Sequence, residues 1–359
     1  MQLLSKLILT ITLTLVGFMT IANDNFTSEE QLTTRLNGEI SDFWQQGNFA
    51  HFAGVNETRI NYATFTHHDV ELKTESKCLV ISSGRGESYL KYKELSFDLF
   101  KLGFSVFLID HRGQGLSERT LPNPHKGYVE DFQYYVDDFA YFIDNIVNQH
   151  CQNKPYLLAH SMGSAIAARY LQDFPDRIQA AALSSPMLGF NSGGIPEFIS
   201  ESIIKTTAQV NQWFGESPWY FLGHKDFAQK DFANNLLMHS TLRYQIYTQL
   251  YKNTPEIQLG GITTQWLTES LAVLEKLFAN IDNIITPTLV LQAGADKIVN
   301  NQAQDDFCQQ LHVLHPQSCP DGKPLVIADA YHELFFESDI YRNQALTAAI
   351  NWFEQHPLP

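Results

Sequence analysis

Residues 155–174, PYLLAHSMGSAIAARYLQDF, form the stretch that decides the fold. An apolar run typical of a buried β-strand ends at His160, and a helical pattern follows from Gly163. Ser161 lies between them in a turn of small residues. This is the context of a nucleophile elbow, in which the serine backbone is strained and its hydroxyl is exposed. Ala159 stands where such elbows usually have glycine, and the alternative interpretation is that Ser161 is only a helix N-cap.

Strand and helix patterns alternate on both sides of this stretch. Strands are predicted at residues 59–65, 77–84, 104–110, 155–160, 179–186, 286–296 and 323–333, and helices at 27–47, 88–103, 128–147, 163–174 and 303–314, with a last helix that ends at Phe353. This order predicts an α/β fold with a mostly parallel central sheet and helices on both faces. The alternation stops at about residues 187–284, where aromatic residues are frequent and no strand is evident, so we expect a helical cap insertion there.

Two residues further along the chain are predicted to complete a catalytic set with Ser161. In this kind of site the acid and the histidine follow the serine in chain order, and each lies at the carboxyl end of a strand. Asp296 and His332 meet both conditions, so we predict that they form a catalytic triad with Ser161. The alternatives for the acid are Asp282, Asp305, Asp306 and Asp329.

The loop after the second predicted strand has the features of an oxyanion hole. Its sequence SGRGES, residues 83–88, contains Gly84 and Gly86, which let the backbone approach a substrate closely. The backbone N–H groups of Arg85 and Met162 are expected to donate to the oxygen that becomes negative when the serine attacks. The alternative is a simple turn.

Two neighbouring features are interpreted as structural. His160 is next to the serine but is expected to point to the opposite side of the strand. The loop DHRGQGLS at residues 110–117 lacks the Lys-Ser/Thr pair of a phosphate-binding loop, so we interpret it as scaffold beside the site.

Charge and the first residues bear on partners and location. The 359 residues carry a formal net charge of −15 without any basic run, which argues against nucleic acid or an anionic membrane surface as a direct partner. Residues 1–22 combine a positive Lys6, a short apolar stretch and small residues at the end, and are predicted to be a signal peptide. The domain at 23–359 would then be exported, either periplasmic or secreted. The alternative is a membrane anchor formed by an uncleaved N-terminal segment.

The chain has four cysteines, Cys78, Cys151, Cys308 and Cys319, and their spacing matches no zinc pattern. In an exported protein they are expected to form disulfides, for which three pairings are open. Free buried thiols are the alternative.

These features together resemble the α/β-hydrolase superfamily and, more narrowly, the bacterial lysophospholipases of the monoacylglycerol-lipase-like group. The matching stretches run from about residue 40 to about residue 355 and are GRGESYLKYKELSFDLFKLGF, IDHRGQGLS, LAHSMG, SSPMLG, MHSTLRY, GGITTQWLTES, TPTLVLQAGADKIV and AYHELFFE. The triad is common to the superfamily, whereas the Arg-Gly-Glu-Ser loop and the cap stretches are more specific to the lysophospholipase group. One departure is Ser83, where monoacylglycerol lipases usually have histidine.

The resemblance implies a serine hydrolase that cleaves the carboxylester of a single-acyl lipid through an acyl-enzyme, with lysophospholipids favoured. It implies no metal or organic cofactor, a small lipid as partner, and transient contact with a membrane or lipid aggregate. The cap aromatics would either cover the acyl chain or form the cap's own core. Alternatives on the same scaffold are a monoacylglycerol lipase, a general carboxylesterase and a proline-type aminopeptidase. The last would need acidic cap residues such as Glu197, Glu201 or Glu216, and a non-catalytic binding protein is an alternative of another class.

The resemblance also implies a disulfide pairing. In the superfamily the strands that begin near Cys78 and Cys151 are neighbours, which favours a Cys78–Cys151 bond across their amino ends. Cys308 and Cys319 would then close locally within one helix and loop.

Overall fold

The structure, a computed structural model, describes residues 25–67, 77–191 and 197–358. Its strands are β1 (Asn48–Ala53), β2 (Arg59–Phe65), β3 (Lys77–Ser82), β4 (Phe104–Ile109), β5 (Tyr156–His160), β6 (Ala181–Ser184), β7 (Thr288–Ala293) and β8 (Leu325–Ile327). They form one sheet in the order β1-β2-β4-β3-β5-β6-β7-β8. β2 pairs antiparallel with β1 and β4, and all other neighbours are parallel.

Helices cover both faces of this sheet. They are α1 (Glu29–Leu36), α2 (Glu39–Gln45), α3 (Lys93–Lys101), α4 (Gln133–Asn145), α5 (Met162–Asp173), α6 (Glu197–Phe214), α7 (Thr241–Asn253), α8 (Thr264–Ala279), α9 (Asn301–Leu314) and α10 (Asp339–Gln355). One core contains residues of α4, α5 and α9, and the core on the other face contains residues of α2, α3 and α10. The predicted α/β-hydrolase fold is confirmed.

The central strands are buried on both faces, as the continuous apolar runs predict. Every residue of β4, β5, β6 and β7 is buried. Because parallel strands end at the same edge, the loops after β3, β5, β7 and β8 meet beyond the carboxyl ends of the strands. The fold therefore brings together the segments that contain the predicted site residues.

Two local predictions differ from the structure. The predicted helix at 27–47 is two helices, because the chain breaks at Gly38, whose φ of −134° and ψ of −108° are not helical. The edge strand β1 was not predicted. Most of its residues are exposed or half-buried, so its sequence NFAHFA lacks the apolar run that identifies the buried strands.

The segment between β6 and β7 contains α6, α7 and α8, and its described residues add no strand to the sheet. Its assignment as a cap at 187–284 stays a prediction. The predicted signal peptide at 1–22 lies outside the described residues. Among the helices that the structure describes, none has the length and apolar character needed to cross a membrane.

Both implied disulfides are present. Cys78, at the second position of β3, is bonded to Cys151, which precedes β5, and their Cα atoms are 6.1 Å apart. Cys308 of α9 is bonded to Cys319, with Cα atoms 5.3 Å apart. Two disulfides are typical of a protein that folds in an oxidising compartment.

Candidate active site

The turn between β5 and α5 has the geometry of an elbow. Ser161 has a φ of 52° and a ψ of −117°, a strained backbone for a residue other than glycine, and its side chain makes no cap hydrogen bond. Gly163 is required because a Cβ atom there would collide with the carbonyl oxygens of Ser82 and Ser83 at the end of β3. Ala159 is fully buried and pairs with Ser82, so the additional methyl group is accommodated inside the sheet.

The structure brings the three predicted triad residues into contact. Ser161 Oγ lies 2.9 Å from His332 Nε2, and His332 Nδ1 lies 2.7 Å from Asp296 Oδ2. The other carboxylate oxygen of Asp296 accepts the backbone N–H groups of Ile298, at 2.7 Å, and Val299, at 3.2 Å. Ser161 and Asp296 are 8% exposed and His332 is 4% exposed. These contacts are those that a nucleophile, a general base and an orienting acid require.

The neighbours of Asp296 keep it ionised. Burial alone would raise the pKa of Asp296, but the hydrogen bond and charge of His332, with the two backbone donors, lower that pKa below its usual value. An ionised Asp296 favours a proton on His332 Nδ1 and leaves Nε2 as an acceptor for the hydroxyl of Ser161. None of the four alternative aspartates occupies this position in the described chain.

The loop after β3 presents the two predicted N–H donors. The backbone N–H groups of Arg85 and Met162 have no acceptor within the described residues, which is the state an oxyanion hole requires. Gly86 has a φ of 73°, a conformation that favours glycine. Gln114 fixes the loop: its side-chain oxygen accepts the Gly86 N–H at 3.1 Å, and its amide donates to the Gly84 carbonyl at 2.8 Å. Gln114 belongs to DHRGQGLS, so that loop is scaffold in direct contact with the site.

A buried cluster of charges forms one wall of the site and was not predicted. Lys91 Nζ lies 2.6 Å from Glu87 Oε1 and also contacts Glu333 Oε2. Glu87 Oε2 accepts the Tyr92 hydroxyl at 2.5 Å and lies 3.2 Å from His160 Nδ1. The cluster connects the loop after β3 to Glu333, the residue that follows His332. The sequence offers only the four-residue spacing of Glu87 and Lys91 as a signal, because Glu333 is 242 residues away from Lys91.

His160, which we interpreted as structural, lies in the wall of the site. Its Nε2 lies 3.3 Å from the backbone oxygen of His332, and the two rings are 4.9 Å apart. It is the last residue of β5, and its ring lies near Phe335 of the core that also contains Leu158, as the alternation of side chains along β5 predicts. Burial alone would lower the pKa of His160, but Glu87 raises it above its usual value. Burial raises the pKa of Glu87, but Lys91 and His160 bring it well below its usual range.

A cavity of about 280 Å³ lies over Ser161 and His332 and continues into two grooves. The apolar groove, about 750 Å³, shares Phe190 and Ile262 with the cavity, and its lining includes Ile204, Phe221, Leu267, Leu271 and Phe278. The polar groove, about 690 Å³, shares Arg85 with the cavity, and its lining includes His224, Lys225, Asp226, Lys230 and Tyr251. The described residues contain no group of three or more His, Cys, Asp or Glu placed to hold a metal ion.

A serine, histidine and aspartate in this order of contact, at the carboxyl ends of the strands of this sheet, define an α/β hydrolase. Residues 73–339 match the model of the serine aminopeptidase S33 family. The chain belongs to that family and is a hydrolase.

Named relatives agree with this assignment. Lysophospholipase L2 of Escherichia coli K12 is 39% identical over 335 residues, which cover 93% of this chain and 95% of the relative. Probable lysophospholipase L2 of Haemophilus influenzae is 31% identical over 88% of this chain and 94% of its own length. A soluble variant of the monoglyceride lipase of Saccharomyces cerevisiae has the same fold, with a TM-score of 0.61, 16% identity, and coverage of 87% of this chain and 97% of its own.

Proposed function

We propose that this chain cleaves the carboxylester of single-acyl lipids, with lysophospholipids as its favoured substrates. The contact series Ser161–His332–Asp296 is the observation that carries the proposal, because it supplies a nucleophile, a base and an orienting acid. The similarity to lysophospholipase L2 over 93% of the chain supports the substrate class.

The first step would transfer the acyl group to Ser161. His332 Nε2 takes the hydroxyl proton while the Ser161 oxygen attacks the ester carbonyl carbon. The backbone N–H groups of Arg85 and Met162 donate to the carbonyl oxygen as it becomes negative. The bond between the carbonyl carbon and the glycerol oxygen then breaks, and His332 returns its proton to that oxygen. The products are the acyl-serine ester and the deacylated head group.

The second step would release the fatty acid. Water enters the cavity and gives a proton to His332, and the resulting hydroxide attacks the acyl-serine carbonyl. The bond to the serine oxygen breaks, and His332 returns the proton to Ser161. Asp296 stabilises the positive charge on His332 in both steps.

The apolar groove supports a long acyl chain as part of the substrate. It begins at the catalytic cavity through Phe190 and Ile262, and it passes between α6, α8 and α9. Burying a chain there would contribute about 0.8 kcal/mol for each CH₂ group. Of the aromatics in the segment between β6 and β7, Phe221 and Phe278 line this groove and Trp266 lines the catalytic cavity, which supports the expectation that they cover the acyl chain.

An exposed apolar rim supports transient contact with a lipid aggregate. We define the rim as Ile203, Trp213, Phe214 and Leu222, which are 38%, 68%, 75% and 65% exposed. Ile203 and Leu222 also line the apolar groove, so the rim is continuous with its wall. Exposed apolar patches of this kind occur at lipid and protein interaction sites.

The alternatives are weighed by the lining of the cavity. A monoacylglycerol lipase or general carboxylesterase would use the same triad, and only substrate preference separates them. An aminopeptidase needs a free carboxylate for the substrate's amino group, but the carboxylates of this cavity, Glu87 and Glu333, both contact Lys91. Of its candidate cap residues, Glu216 is exposed, and the side chains of Glu197 and Glu201 lie outside the described part. A binding protein would have no use for an intact triad.

We further propose that the protein is exported and works in an oxidising compartment such as the periplasm. The Cys78–Cys151 and Cys308–Cys319 bonds support this location, because cytosolic thiols are kept reduced. The sequence of residues 1–22 supports it independently.

The proposed activity is tested by fatty-acid release from 1-palmitoyl-lysophosphatidylcholine and 1-palmitoylglycerol, which share the acyl chain and differ in the head group. We expect release from both, with a higher kcat/KM for the lysophospholipid. Equal or faster release from 1-palmitoylglycerol would favour a monoacylglycerol lipase. Release from neither, by folded protein, would contradict the proposal.

A further inference from the structure

We infer that the side chain of Arg85 binds the phosphate of the substrate's head group and selects lysophospholipids over uncharged single-acyl esters. The inference rests on the proposed function and deepens it. It assigns to Arg85 a second contact with substrate, distinct from the backbone N–H that faces the ester oxygen.

The Arg85 side chain has no counter-ion in the part of the chain that the structure describes. Among the described residues it makes no ion pair with a carboxylate; one Nη donates to the Gly260 carbonyl, and the guanidinium lies over the Trp266 ring at 5.5 Å. Its Nε is buried and has no acceptor within residues 25–67, 77–191 and 197–358. Burial lowers the pKa of Arg85 to about 10, so the side chain is still charged at neutral pH. A partly buried cation that lacks an anionic partner is unfavourable, and an anion that enters the site would relieve that cost.

The position of Arg85 fits a phosphate. Its side chain lines both the catalytic cavity and the polar groove, so it marks the point where a head group would leave the cavity. The backbone nitrogen of an arginine and its guanidinium carbon are separated by about six covalent bonds, or about 7 Å when extended. The ester carbon and the phosphorus of a lysophospholipid are also separated by about six bonds. One residue can therefore contact the ester oxygen and the phosphate of a single molecule.

The charges around Arg85 favour an anion. The polar groove contains Lys225 and Lys230, which are exposed and make no ion pair with described carboxylates, against one aspartate, Asp226. Asp226 accepts hydrogen bonds from Tyr220 and Asn123, which occupy its oxygen Oδ1. A phosphate in this groove would gain charge-assisted hydrogen bonds from the guanidinium.

The carboxylates of the cavity do not supply the missing counter-ion. Glu87 and Glu333 are both paired with Lys91, and Glu87 also contacts His160. Their negative charges are therefore paired within the cluster, and the Arg85 guanidinium is the cation that can bind an anionic substrate.

The test compares 1-palmitoyl-lysophosphatidylcholine with 1-palmitoylglycerol in the full-length protein. Replacing the side chain in Arg85→Met keeps the backbone N–H but removes the guanidinium. We expect the ratio of kcat/KM for the lysophospholipid to kcat/KM for the glyceride to fall about ten- to a hundredfold, the range for a hydrogen bond to a charged group. Arg85→Lys should restore part of the ratio. As a matched control, Arg177→Met removes an exposed arginine after α5 and should leave the ratio within about twofold.

A second readout does not depend on turnover. In Ser161→Ala protein, glycerol 3-phosphate should raise the melting temperature more than glycerol or inorganic phosphate does, and Arg85→Met in that background should remove the increase. An equal loss of kcat/KM for both esters, or an unchanged ratio together with an unchanged melting shift, would overturn the inference. A melting shift as large with inorganic phosphate would show an anion site without head-group selectivity and would also overturn it.

The two proposals fail in different ways. If the wild-type protein hydrolyses neither ester, the proposed function is wrong, whatever the glycerol 3-phosphate result. If it hydrolyses both esters and Arg85→Met lowers both equally, only the role of the Arg85 side chain is wrong. Should Arg85→Met not fold, Arg85→Gln, which keeps a polar planar end, provides the same comparison.

Discussion

The helices α6 and α7 belong to the same segment between β6 and β7, but they differ in how they contact the rest of the protein. On α7, Arg243 is 3% exposed, and its guanidinium lies 2.8 Å from Glu94 of α3 and 2.8 Å from Asp339 of α10. On α6, Trp213 and Phe214 are 68% and 75% exposed. One helix is fixed to the α/β body by buried charge, and the other presents apolar side chains to solvent.

The described contacts of α6 include buried apolar residues and one buried polar residue, Asn211, whose Oδ1 accepts the Thr264 hydroxyl of α8 at 2.9 Å. Ile204 and Ala208 are buried, and the ion pair from Lys205 to Glu275 of α8 is 3.7 Å long with both side chains more than half exposed. An exposed pair of this kind contributes little. The comparison indicates that buried charges hold α7 in the wall of the site, whereas the exposed apolar side chains of α6 can contact a lipid.

The largest effect is expected for Arg243→Met. The substitution removes the nearer arginine from buried Glu94, which keeps only Arg342 at 3.5 Å, so the free energy of unfolding should fall by about 3–5 kcal/mol, measured by urea denaturation. Lys252→Met, an exposed site on the same helix, is the control and should stay within about 0.5 kcal/mol of wild type. Equal effects of the two substitutions would mean that buried charge does not hold α7.

The next effect concerns the apolar rim. Replacing both Trp213 and Phe214 with serine should change the free energy of unfolding by less than about 1 kcal/mol, because both are exposed. Retention on phosphatidylcholine vesicles, measured by sedimentation, should weaken about tenfold, which corresponds to about 1.4 kcal/mol. Val313 and Leu314, 76% and 47% exposed at the end of α9, give a matched control, since the loop after this end of α9 hydrogen-bonds to Thr288 at the amino end of β7, away from the site. Equal loss in both double variants would remove α6 from this role.

The smallest effect is expected from pH, which changes charged contacts and leaves apolar ones unaltered. The pKa of His160 is raised in the folded protein because Glu87 and Glu333 outweigh burial and Lys91. The stabilisation by protonated His160 is therefore fully present below about pH 6.5, the pKa in unfolded chains, and is lost as pH rises through the raised folded pKa.

The matched variant is His160→Gln. The difference in melting temperature between wild type and His160→Gln, in favour of wild type, should be greatest near pH 6 and should shrink toward pH 9. A difference that does not vary with pH would show that the contact of His160 with Glu87 is not ionic.

The sequence alone predicted those strands, helices and site residues that are recognisable from a short stretch of the chain. The apolar runs of β4 to β7 identified the buried strands, and a serine at the junction of β5 and α5 identified the elbow. The positions of Asp296 and His332 directly after strands placed them at one edge of the sheet. Local pattern was enough because each of these features depends on a few consecutive residues.

Features that depend on distant partners could not be predicted in this way. Lys91 contacts Glu333 across 242 residues, and Arg243 contacts Glu94 across 149. Neither pair has a spacing that distinguishes it from ordinary surface charge. The contact of His160 with Glu87, 73 residues away, was missed for the same reason.

The most direct test of the central claim is to identify the residue that an ester-like phosphonate modifies. A long-chain alkyl fluorophosphonate is incubated with wild-type protein and with Ser161→Ala, and peptides are analysed by mass spectrometry. The account predicts one adduct on Ser161 in wild type, slowed by His332→Gln, and neither adduct nor fatty-acid release in Ser161→Ala. An adduct on another residue, or fatty-acid release retained by Ser161→Ala, would contradict it.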